Sequence, residues 1–228
     1  MRPRTVGLLV VGVVAALVAT GCGSADPPAG ASSSGGGSAS GSASASASPS
    51  SDAKGRATAA TTKALLPAEG FAKIGLKVDD QPETTRWDWF DTCRPTLPSE
   101  SRQVVGTHGT WKRQGFVVSQ TVVAYPDGVA EQLVAQVEKA VDCRTYATRE
   151  GTWSGITTLD LPDLAAADAQ YAWCMTLRSK RLTSCHSVVA AQDLVSSLWV
   201  LSEDAGKAKE GLAALTGLAA RRIEAQVS

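Results

Sequence analysis

The chain of 228 residues carries 22 basic and 22 acidic side chains and only two histidines. That balance leaves no basic stripe, so nucleic acid is not expected as a partner. Asparagine is absent, which excludes N-glycosylation sequons and any Cys-His-Asn catalytic set.

The first stretch sets the compartment. Met1 to Thr5 holds Arg2 and Arg4, a short basic segment, and Val6 to Ala19 is apolar with Gly7 and Gly12 interrupting it. A run of this length falls short of the ~20 residues needed to cross a bilayer core and fits a secretory signal segment. Ala19-Thr20-Gly21 then places small residues just before Cys22. This resembles the lipobox of bacterial lipoproteins, with Ala19 where leucine is the commoner choice. The resemblance implies that residues 1–21 are removed and that Cys22 becomes a lipidated first residue. The partner is then the lipid bilayer, reached through acylated Cys22, and the location is the extracellular face of the cell membrane. Arg2-Pro3-Arg4 is not a twin-arginine pair. Removing residues 1–21 leaves 20 basic against 22 acidic side chains.

Residues 22–62 follow as a segment dominated by Gly, Ser, Ala, Thr and Pro, with no large apolar side chain. Such a segment cannot offset its ordering entropy by burial, and it is expected to be a disordered linker. At ~5–6 Å × √n it reaches ~35 Å. Ser51-Asp52-Ala53-Lys54 matches an S-x-x-K pattern but lacks S-D-N and K-T-G partners, so it is a chance match. Residues 63–228 are long enough to bury roughly 70% of their unfolded surface in one domain, and the four remaining cysteines suit an oxidising compartment.

Within the domain, Ala64-Leu65-Leu66-Pro67 reads as a helical turn stopped by proline. Asp79 to Pro98 is turn-rich and includes Trp87-Asp88-Trp89-Phe90 before Cys93. Val104 to Trp111 is a strand. Gly115 to Tyr125 is a second one, apolar at both parities and so covered on both faces. Asp127 is placed to cap the next helix, in which Val129, Leu133, Val137 and Val141 form one stripe ending at Cys143. Thr152 to Leu159, Ala169 to Leu177, Leu182 to Ala191 and Leu194 to Leu201 read as four more strands. Ser202 is placed to cap a last helix, Glu203 to Glu224, with acidic residues at its start and Arg221 and Arg222 near its end, matching the helix dipole. Strands joined by short turns, with helices that do not alternate with single strands, imply an α+β fold built on a mostly antiparallel sheet.

A hairpin turning between Ser179 and Lys180 sets Cys174 opposite Cys185, where facing Cβ atoms lie ~4.5–5.5 Å apart. Four cysteines allow three pairings; the favoured one is Cys93 with Cys143 and Cys174 with Cys185. Their spacings are far from C-x₂-C, and His108 and His186 complete no ligand pattern, so neither a metal nor another cofactor is expected.

Several of these features together resemble the PknH-like extracellular domain, the sensor portion of an actinobacterial receptor Ser/Thr kinase that is also found on lipoproteins. They are Val118-Ser119-Gln120-Thr121-Val122-Val123-Ala124-Tyr125, the helix ending Val141-Asp142-Cys143, the pair Cys174 and Cys185, the strand Leu194 to Leu201, and the closing helix with Ala220-Arg221-Arg222. The resemblance spans Leu65 to Ala225, with Ala140 where the family commonly carries tryptophan. It implies an antiparallel sheet with helices, two disulfides and a cleft, and a role in sensing an external ligand.

Candidate chemistry is sparse. Ser187 adjoins His186, but neighbours on a strand point to opposite faces, and Ser154 has Thr152 and Ile156 in the glycine places of G-x-S-x-G. Both histidines are expected to be ordinary sheet residues, and the chain is not expected to be an enzyme. Trp87 and Trp89 share a face if extended, near Asp88 and Asp91, and form a candidate sugar-binding platform. Trp199, inside an apolar strand, is expected in the core, with Trp111 and Trp153 open. The leading expectation is a lipid-anchored domain binding a small molecule or cell-wall component in a sensor-like role. The alternative is a lipoprotein that docks an envelope protein, and a cell-wall hydrolase comes third.

Overall fold

The structure is a computed structural model, and it describes residues 51–227 except 87, 89, 94, 95 and 127. Eight antiparallel strands form one sheet: β1 (Lys77–Thr85), β2 (Val105–Arg113), β3 (Phe116–Ala124), β4 (Thr145–Thr148), β5 (Gly151–Thr158), β6 (Ala169–Leu177), β7 (Leu182–Ala191) and β8 (Leu194–Ser202). Their spatial order is β1-β2-β3-β8-β7-β6-β5-β4. Two meanders, one of three strands and one of five, therefore meet edge to edge where β3 pairs with β8. The helices are α1 (Ser51–Ala64), α2 (Ala68–Ala72), α3 (Val129–Ala140) and α4 (Ala205–Val227). The α+β class and both disulfides stand as expected, Cys93–Cys143 and Cys174–Cys185. The second joins residues directly opposed on β6 and β7, with Cα atoms 4.1 Å apart.

One face of the sheet is closed. Alternation sends Val118, Val122, Leu198, Val200, Cys185 and Val189 to the side of α1 and α4, where Leu212, Ala219 and Ile223 of α4 are fully buried against them. The spacing of Ala208, Leu212, Leu215, Ala219 and Ile223 puts one apolar stripe of α4 on this side, and all five are buried. Gly211 lets that helix come close, since a Cβ there would stand 2.9 Å from the Phe116 ring. The Trp111 indole nitrogen is sealed into this layer without a hydrogen-bond partner among the described residues, but the hydroxyls and the amide at its centre are paired. Gln120 accepts from the Leu66 amide at 2.7 Å and donates to the Ser196 hydroxyl at 3.0 Å. Ser187 pairs with Thr216 at 2.7 Å, and Thr216 donates to the Leu212 carbonyl.

The other face is covered only in part. Val129, Leu133 and Val137 of α3 pack over Val123, Val188, Ala190 and Val195, joined by Phe90 and Leu97 from the loop before β2. At the far end, β4 and β5 bring Tyr146 and Trp153 over Met175 and Leu177. Gly155, with φ +66°, sits in the irregular stretch of β5 between its pairings at Ser154 and Thr157.

Six features depart from expectation. Leu65 to Pro67 is not a helical turn stopped by proline: α1 ends at Ala64, and Pro67 is the N-cap of α2. The stretch expected to be linker up to residue 62 contains α1, whose Ala57, Ala60 and Ala64 lie against the closed-face core and whose Thr61 pairs with Thr107 at 2.8 Å. Small side chains let this helix lie close to the sheet and α4, so burial comes from proximity rather than from large apolar groups. The turn-rich reading of residues 79–98 missed β1, a fully exposed edge strand with no alternation to reveal it. The four-residue β4 was also missed. Cys143 lies beyond α3, which stops at Ala140. The cap of α4 is Asp204, which accepts from the Lys207 amide at 3.1 Å, while Ser202 accepts from the Asp204 amide just before the helix. The expected cap at Asp127 lies outside the described residues.

Candidate functional site

The uncovered part of the second face is a polar and aromatic floor. Register places Thr110 opposite Ser119, Ser119 opposite Trp199, Trp199 opposite His186, and His186 opposite Trp173. Residues facing each other across antiparallel strands share a face, so this row crosses β2, β3, β8, β7 and β6 on one side. Two residues along, His108, Thr121 and Ser197 form a second row. His108, Ser197, Trp199 and His186 are half-buried, and Thr110, Ser119, Thr121 and Ser184 lie deeper. The charged groups on this face stand at its β1–β2 edge: Asp80 opposite Thr110, Glu83 opposite His108, and Lys112, which is ion-paired with Asp79.

Two hydrogen-bonded groups hold the floor. His108 pairs through Nδ1 with the Thr121 hydroxyl at 2.9 Å and through Nε2 with the Thr110 hydroxyl at 3.1 Å. Burial pushes its imidazole down, against the opposing pull of Asp80 and Glu83. In the second group the Trp199 indole N–H donates to Ser184 Oγ, which lies 2.7 Å from His186 Nε2. The His186 ring stacks on Trp173, centroids 4.9 Å apart and planes 6° from parallel. Tyr171 stacks on the far part of the same ladder at 5.6 Å, and Phe90 meets Trp173 edge-on at 5.9 Å. The edge of His186 keeps some accessible surface, but the packed rings around it dominate, and desolvation pushes its imidazole down to about 3.

The residues singled out in the sequence fall as follows. Cys22, Trp87 and Trp89 lie outside the described residues. Glu100 has its carboxyl pushed up by burial first and by Asp88 second. Ser187 faces α4, on the opposite side from His186. The serine that reaches His186 is Ser184, two residues back on the same strand face; the period-two rule that removed Ser187 points to it. Trp199 is not core, because its row is the one α3 leaves uncovered, whereas Trp111, Trp153 and Trp173 are buried. Among the described residues no group of three or more His, Cys, Asp or Glu side chains is placed to hold a metal ion.

An open cavity of about 500 Å³ lies elsewhere, at the β2–β3 turn and the start of α4, lined by Arg113, Phe116, Glu203, Asp204 and Lys207 among others. Its charges are mixed and its walls are a turn and a helix end, so the sheet floor is the better-organised surface.

This fold, one eight-stranded antiparallel sheet with helices closing one face and half of the other, has a solved counterpart. The chain is similar to the extracellular domain of PknH from Mycobacterium tuberculosis, with a TM-score of 0.55 and 14% identity over 74% of this chain and 97% of that one. At that identity the likeness shows the fold. An uncharacterised protein from Mycobacterium smegmatis aligns with a TM-score of 0.38 and 12% identity, over 72% of this chain and 96% of that one. No protein-family model matches the chain, and no curated protein matches its sequence. No helix among the described residues is long and apolar enough to cross a membrane.

Proposed function

We propose that this chain is a lipid-anchored extracellular protein whose domain binds a ligand on the open sheet floor, in a sensor-like role without catalysis. The observation that carries the reading is the contrast in side-chain fate across one sheet. On the closed face Gln120, Ser187, Ser196 and Thr216 are sealed and paired, while the polar groups between α3 and the β1 edge include half-buried Trp199, His186, His108 and Ser197. A folded chain that needed only stability has no use for an aromatic row left partly in water. The likeness to the extracellular domain of PknH supports the same placement outside the cell. The anchor at Cys22 rests on its signal-like setting, and mass spectrometry of the mature protein tests it; an unacylated N-terminus at any other residue overturns it.

Ser184 and His186 have the contact distance of a nucleophile and its base, but their setting argues against hydrolysis. Ser184 is fully buried. An imidazole held near 3 is a weak base at neutral pH, and no carboxylate pairs with His186 among the described residues. The pair reads as a brace for Trp199.

A thermal-shift screen of the full chain against soluble wall fragments and metabolites tests the binding reading, since a bound ligand raises stability by mass action. A shift lost in Trp199→Ala and retained in a Lys207→Ala control is the expected result. A shift insensitive to Trp199 contradicts it.

A further inference from the structure

We infer that the open floor takes a neutral, polyhydroxylated ligand, a short oligosaccharide laid across β3, β8 and β7. This deepens the binding reading above and rests on it. The inference comes from what the floor offers and what it lacks. On β3, β8 and β7 the row and its neighbours are Thr121, Ser119, Ser197, Trp199, His186 and Ser184. None carries a formal charge, because burial keeps His186 neutral. An anion would find no free cation on these three strands and would meet Asp80 and Glu83 at the β1 edge. A purely apolar ligand would strip water from the Ser197 hydroxyl and leave it unpaired, which is unfavourable.

What remains is a ligand with an apolar flat side and hydroxyls at its rim. Trp199 supplies the plate. Its indole N–H is already committed to Ser184, which holds the ring in one orientation and leaves its face as the contact surface. The same contact orients the His186 ring through Nε2, and its Nδ1 has no protein partner among the described residues, so it can meet a ligand hydroxyl as donor or acceptor. The Ser197 hydroxyl has no side-chain hydrogen bond among the described residues and keeps accessible surface, so it can donate or accept. The span from His108 on β2 to His186 on β7 is three strand spacings, ~14 Å, the scale of a short oligosaccharide rather than a single metabolite.

The test is titration of the purified full chain with short neutral oligosaccharides of the gluco-, galacto-, manno-, arabino- and chito-series, and separately with oligogalacturonate as the anionic counterpart. Binding is read by calorimetry and by amide chemical shifts. The expected result is that a neutral series perturbs the amides of Thr121, Ser197, Trp199 and His186. Trp199→Ala should then weaken binding at least about tenfold and Ser197→Ala roughly fivefold, while Trp199→Phe keeps most of it. Ser197→Ala removes one solvent-facing hydroxyl, so it stays informative if Trp199→Ala fails to fold. Binding of the anionic probe alone at these amides overturns the ligand class and leaves the binding face standing. Shifts confined to other regions, or none with any probe, overturn both.

Discussion

The two faces of the sheet are made from the same strands by the same alternation, and they treat polar groups in opposite ways. On the α4 side, Gln120, Ser196, Ser187 and Thr216 are sealed and satisfied by one another and by backbone. On the other side, the hydroxyls of Thr110, Ser119, Thr121 and Ser184 are buried as well, but the rings they hold, His108, His186 and Trp199, are braced and only half-buried. A buried hydrogen bond adds little net stability but is costly to leave unmade, so the closed-face network serves a unique packing. The open-face network holds two rings, His108 and His186, and one indole in fixed poses beside water. The difference teaches that polarity within a sheet does not mark function; incomplete coverage of it does.

The sharpest way to break this contrast is to damage the closed face alone. Leu212→Ala, at a fully buried α4 position, is expected to cost about 2–5 kcal/mol of unfolding free energy in denaturant titration, with the floor's ligand affinity unchanged in the fraction that remains folded. Next come the disulfides. Replacing Cys93 and Cys143 together is expected to cost about 4 kcal/mol and replacing Cys174 and Cys185 about 3 kcal/mol, because the first closes 50 residues and the second 11. Calorimetric melting of the two double variants should rank them in that order.

Gln120→Leu should cost about 1–3 kcal/mol, since it leaves the Leu66 amide and the Ser196 hydroxyl without the amide that joins them. A smaller effect separates the faces by pH. His186 is neutral when folded, down to about 3, and ordinary when unfolded, near 6.5. The unfolded state therefore binds the extra proton between those values, and stability falls as pH drops through 6.5 toward 3. His108 is shifted in the same direction. Unfolding free energies from urea titration at pH 7.5 and pH 5 should differ less in His186→Phe than in the parent chain, by about 1–2 kcal/mol. The smallest expected effect is Ser197→Ala, within about 0.5 kcal/mol in stability.

How far the sequence reading reached depends on which signal each element carried. The β6–β7 hairpin was readable because two cysteines equidistant from a polar turn fix a register, and it pairs as expected from Ala169–Ala190 to Leu177–Leu182. The stripes of α3 and α4 and the double-parity run of β3 were readable because burial on a covered face demands them. Strand β1 carried no such demand. All nine of its residues are exposed, and Pro82 sits inside it, so only pairing to β2 makes it a strand. Helix α1 looks like linker in sequence because alanine and threonine bury little area each. Trp199 was assigned to the core because an apolar strand says nothing about where a distant helix stops covering it. The site was hidden for the same reason. Its residues come from four strands and line up only when β8 inserts between β3 and β7, a pairing set by the whole sheet.

Hydrogen–deuterium exchange of the full chain with and without a neutral oligosaccharide that binds it would test the central claim most directly. The account predicts slowed exchange confined to β3, β8 and β7 around Thr121, Ser197, Trp199 and His186, with α1 and α4 unchanged. Slowing centred on α4 or on the Arg113–Lys207 cavity, with β8 unaffected, would contradict it.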